Sequence, residues 1–72
     1  MLYEIWEAGS RNRIGAFTSL EAALALVRQS VEQHGARSAA MLLLAGEDEA
    51  GETELLAEGA ELMAMAELAL TV

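Results

Sequence analysis

Hydrophobic positions along the chain fall into two alternating periods. Residues 2–7 read as a strand, with Tyr3, Ile5 and Trp6 supplying aromatic and β-branched side chains. Ala8-Gly9-Ser10-Arg11-Asn12 is turn chemistry, and residues 13–17 return as a second strand, which predicts an antiparallel hairpin. Alternation along that hairpin groups Ile5, Ile14 and Ala16 as one apolar set and Leu2, Trp6 and Phe17 as another. Leu20, Leu24, Val27 and Val31 then recur at helical spacing and predict a helix over 19–34. Thr18-Ser19-Leu20-Glu21 fits a capping box in which the threonine hydroxyl caps the first turn. Gly35 is placed to end that helix at a positive φ, with His34 at the negative end of its dipole.

The second half repeats this order. Residues 40–45 are apolar on both alternating sets, as in a strand covered on both faces. A polar turn follows, then a strand over 53–57 and a helix over 59–70. Sliding the chain by about forty residues lays one ββα unit over the other. The expected fold class is α+β: a ββαββα chain forming a four-stranded antiparallel sheet with two helices packed on it.

That architecture leaves too many apolar positions. Helices cover one face of such a sheet, yet residues 40–45 are apolar both ways, and the second helix carries only Glu61 and Glu67 among its apolar residues. A chain of 72 residues has room for one domain and buries only about 60% of its unfolded surface. Covering a further ~600 Å² of apolar area is worth about 15 kcal/mol before association costs. Self-association is therefore expected, most simply as a C₂ homodimer, with Leu42, Leu44, Met63, Met65 and Leu68 at the interface.

Charge narrows the partners. Four arginines and four acids balance over residues 1–37, whereas residues 38–72 hold eight acids and no base, so the whole net charge of −8 lies in that half. Nucleic acid and anionic membrane are disfavoured by sign. A basic protein is the electrostatic alternative, met by an acidic patch of Glu47, Asp48, Glu49, Glu52 and Glu54, as in an antitoxin-like neutraliser. With 54% apolar residues the chain is expected to fold, and without a signal-peptide pattern or a long apolar run its expected compartment is the cytoplasm.

Catalytic apparatus is not visible. One histidine, His34, serves as a helix-end residue; no cysteine is present; the serines lack a nearby base. Glu4 and Glu7, three apart on a strand, face opposite sides and do not form a carboxylate pair. The acidic turn lacks EF-hand spacing, and no phosphate-cradling glycine motif occurs, so no metal or cofactor is expected. Trp6, Arg11 and Arg13, together on the first hairpin, are the residue types that anchor a partner or small ligand.

Tyr3-Glu4-Ile5-Trp6, the stretch Ile14-Gly15-Ala16-Phe17-Thr18-Ser19-Leu20-Glu21-Ala22-Ala23-Leu24, His34-Gly35 and Ala57-Glu58-Gly59 resemble short uncharacterised bacterial proteins. The resemblance spans nearly the whole chain and carries a hairpin, a helix cap and a helix end. It implies no activity and transfers no site. The expectation is a non-enzymatic, homo-oligomeric interaction module.

Overall fold

The computed structural model describes residues 1–70. Strands β1 (Leu2–Glu7) and β2 (Asn12–Phe17) form the first hairpin and lead into helix α1 (Leu20–His34). A four-residue helix α2 (Ala36–Ala39), strands β3 (Leu42–Glu47) and β4 (Thr53–Glu58), and helix α3 (Gly59–Leu70) complete the chain. The strands pair antiparallel in the order β2-β1-β3-β4, giving the expected α+β sheet with ββαββα order. No helix among the described residues is long and apolar enough to cross a membrane.

Local chemistry explains the helix ends. Ser19, in extended conformation, is the N-cap of α1, and its hydroxyl accepts a hydrogen bond from the Ala22 amide at 3.1 Å. This corrects the cap from Thr18 by one residue: both positions carry a hydroxyl, and the helix starts at Leu20. At the other end Gly35 adopts φ +85° while its amide donates to the Val31 carbonyl at 2.9 Å. The unpredicted α2 occupies residues 36–39, so β3 starts two residues later than the apolar run suggests.

The internal repeat is visible in the strand registers. Ile5 faces Gly15 on one side and Leu44 on the other, and Leu44 faces Ala57. One step beyond this central row, both hairpins slip by a residue. Ile14 is the extra residue in β2, and Leu56 is the extra residue in β4. The two ββα units are thus related about the β1–β3 pair, each with its bulge in the equivalent place.

The core lies between the sheet and the helices. Ile5, Leu44 and Ala57 rise from the sheet to meet Ala23, Leu24 and Val27 of α1 and Leu62 and Ala66 of α3. The Phe17 ring packs closely over Gly15, 3.0 Å from where a Cβ would stand, so a side chain there would displace the ring. The bulge at Ile14 corrects the expected hairpin sets. It places Phe17 with Ile5 on the helix side and Ala16 with Leu2 and Trp6 on the other.

Candidate functional site

Cross-strand partners share a face, so the registers define the side of the sheet that carries no helix. One row runs Arg13–Trp6–Leu43–Glu58 across β2, β1, β3 and β4, and the next runs Ala16–Glu4–Ala45–Leu55. Leu2 extends the face at one end. The result is an apolar surface with charges at its borders and one carboxylate, Glu4, in its middle.

Glu4 is the anomaly of this face. It is only 5% exposed although no helix lies over it. Arg13 answers it: the guanidinium Nη1 donates to Glu4 Oε2 at 2.9 Å, while the arginine side chain remains 52% exposed. The pair is the one side-chain ion pair among the described residues. It neutralises the centre of the face and leaves further guanidinium donors turned to solvent. Trp6, half-buried, is the direct cross-strand neighbour of Arg13. Of the three hairpin candidates, then, Trp6 and Arg13 belong together on the open face. Arg11 stands apart in the turn, with φ +58° and its amide bound to the Glu7 carbonyl.

The expected interface residues divide differently. Leu42 and Leu44 are corrected from interface to core: both point to the helix side, and Leu44 is fully enclosed between sheet and helices. The apolar residues of β3 that reach the other face are Leu43 and Ala45, the set alternate to them. Met63 and Met65 are half-buried against the core, and Leu68 of α3 is 67% exposed. α3 accordingly buries the stripe of Leu62 and Ala66 rather than all its sides. The signal for Leu43 and Leu55 was present in the strand alternation, but the bulge beside Leu56 hides which β4 residues face outward.

The acidic cluster is a built turn. Asp48 Oδ1 accepts from the amides of Ala50 and Glu52, each at 2.9 Å, and Gly51 takes φ +84°. Asp48 is therefore engaged by its own hairpin. Glu49, Glu52 and Glu54 are exposed around it, and Glu47 is half-buried at the end of β3. Among the described residues no three His, Cys, Asp or Glu side chains converge as a metal site would require.

A concavity lies on the helix side, where the end of the first hairpin meets the last turns of α1. It encloses about 410 Å³. Ile14, Leu26, Met41 and Leu42 line it with apolar surface; Glu7, Gln29, Ser30, Gln33 and His34 supply polar groups. As expected, Glu4 and Glu7 face opposite sides of the sheet. Glu7 has no ion-pair partner among the described residues.

Comparison with protein families, with curated proteins and with solved structures finds no match to this chain.

Proposed function

We propose that this chain is a self-association module whose working surface is the open face of its sheet. The observation that carries this reading is the row geometry described above. Trp6, Leu43, Ala45 and Leu55 lie contiguously on a face without helices, around an ion pair that cancels its own charge. An apolar centre with a charged border is how protein interfaces are built. Leu55 is 54% exposed in the protomer, and burying it with Trp6 supplies the hydrophobic gain.

Shape supports the same reading. The backbone spans 35 × 31 × 17 Å, a plate two layers thick. Its accessible surface is 4754 Å², against roughly 4,300 Å² for a compact monomer of this mass. Two sheets stacked face to face are a standard way to close such a plate. The test is sedimentation equilibrium over a wide concentration range, read beside Trp6 emission, since Trp6 is the sole tryptophan. A dimer whose Trp6 emission moves to the blue as it forms is the expected result. A monomer at every concentration would overturn the reading.

The unpaired Glu7 favours a second reading, small-ligand binding at the first hairpin, moved from the Trp6 side to the helix side. The cleft there has an apolar body and a single carboxylate among amide, hydroxyl and imidazole groups, which suits a compact apolar molecule bearing a protonated amine. Tryptamine and its uncharged counterpart 3-methylindole discriminate: NMR shifts at Leu26 and Met41 with tryptamine, lost in Glu7→Gln, support it. Equal or absent shifts with both compounds reject it.

A further inference from the structure

The two rows of the open face carry more than apolar area; they carry an order. Arg13 stands at the β2 edge and Glu58 at the β4 edge of the same row, with Trp6 and Leu43 between them. In the adjacent row the small Ala16 is at the β2 edge and the large Leu55 at the β4 edge. Each row therefore ends in a residue complementary to its own opposite end. We propose that two copies stack face to face about a two-fold axis running parallel to the strands between β1 and β3. Arg13 then meets the partner's Glu58, and Ala16 meets the partner's Leu55. This rests on the self-association reading and specifies its partner as a second copy in one orientation.

The physical argument compares the ways two identical sheets can face each other. With the axis parallel to the strands, β2 lies over the partner's β4 and β1 over the partner's β3. Opposite charges then come together at both borders, and the methyl of Ala16 leaves room for the isobutyl group of Leu55. In the middle, Trp6 packs on the partner's Leu43, and Glu4 lies under the small side chain of the partner's Ala45. Sheets in such sandwiches are about 10 Å apart, a gap an arginine and a glutamate together can bridge. Arg13 can do this while keeping Glu4, because a guanidinium has five N–H donors and Nη1 alone makes the 2.9 Å bond. With the axis across the strands, β2 lies over the partner's β2 and β4 over the partner's β4. Arginine then approaches arginine and glutamate approaches glutamate, and like charges brought together at an interface are strongly disfavoured.

A chain with no cysteine allows a direct test. Ala16 and Leu55 are both exposed and sit on opposite edge strands, about 14 Å apart within one copy by the spacing of neighbouring strands. A short bis-maleimide is added to Ala16→Cys, to Leu55→Cys and to the double variant, with sedimentation run on the same samples. The expected result is covalent dimer from the double variant and none from either single one. Glu58→Arg, which sets arginine against the partner's Arg13, is expected to weaken the dimer about ten-fold. A dimer that cross-links through Leu55→Cys alone, or does not cross-link in the double variant, overturns the proposed axis while self-association stands. Absence of a dimer at every concentration overturns the self-association reading itself.

Discussion

The Glu4 carboxylate accepts a 2.9 Å hydrogen bond from the Arg13 guanidinium on the face of the sheet that no helix covers, and it is almost wholly shielded from water there. A carboxylate in that position depends on its partner, because an unpaired buried acceptor loses its hydration without compensation. Arg13→Met is expected to lower stability by about 1–3 kcal/mol, the cost of leaving one buried polar group unsatisfied. Glu4→Gln in the Arg13→Met background is expected to recover part of that loss, since a neutral amide is cheaper to bury. Urea unfolding of the four combinations at neutral pH measures the coupling. A coupling near zero would mean that the pair is a surface contact of little weight.

The burial of Leu44 and the exposure of Leu55 predict opposite effects of substitution on neighbouring strands. Leu44 is enclosed between sheet and helices, so Leu44→Ala leaves a cavity and is expected to cost about 2–5 kcal/mol of folding stability at any protein concentration. Leu55 is open in the protomer, and Leu55→Asp is expected to change folding by under about 0.5 kcal/mol. It is expected instead to weaken the dimer by more than ten-fold. Thermal unfolding and sedimentation, run on both variants, separate the two roles. A Leu55→Asp variant that unfolds with Leu44→Ala would place Leu55 in the fold rather than the interface.

Arg11 illustrates a residue held by its turn. Its φ of +58° is a left-handed conformation that glycine adopts without penalty. Arg11→Gly is expected to stabilise the hairpin by about 0.5–1 kcal/mol, after the extra entropy of the unfolded chain is deducted. Because Arg11 is exposed and makes no ion pair among the described residues, its loss is expected to leave self-association unchanged. A large effect on dimerisation, read by sedimentation, would return Arg11 to the interaction surface.

Element order, both long helices and the antiparallel sheet were legible because their signals are local: a helical stripe from Leu20 to Val31, turn residues at 8–12, a glycine at 35. What escaped depends on non-local geometry. Alternation assigns Ile14 and Ala16 to one face with Ile5, but a single-residue bulge reverses Ala16, and nothing in the types Arg13-Ile14-Gly15 announces it. Leu42 and Leu44 are as apolar as Leu43, so which set meets the helices was fixed only by the register of β3 on β1. The excess of apolar surface was readable; its address was not. Glu4 and Arg13 are nine residues apart and became partners only once the hairpin register was known.

Salt distinguishes self-association from the acidic-regulator alternative by sign. Each copy carries a net charge of −8, so two copies repel through solvent over a Debye length of about 10 Å at 0.1 M salt and much further at low salt. At the centre of the open face Arg13 pairs with Glu4, so the shielded carboxylate adds little to that repulsion at the contact. Raising sodium chloride from about 0.02 M to about 0.3 M shortens the screening length several-fold. It is therefore expected to tighten the dimer several-fold, because relief of the overall repulsion outweighs the screening of two border ion pairs worth about 1 kcal/mol or less each. Binding of the exposed Glu49, Glu52 and Glu54 to a basic protein would respond in the opposite direction, weakening as salt rises. Sedimentation equilibrium of the chain alone, and titration against a basic protein such as lysozyme, at the two salt concentrations read both slopes. A dimer that loosens with salt would mean that attraction between charges, rather than the apolar rows, holds the two copies together.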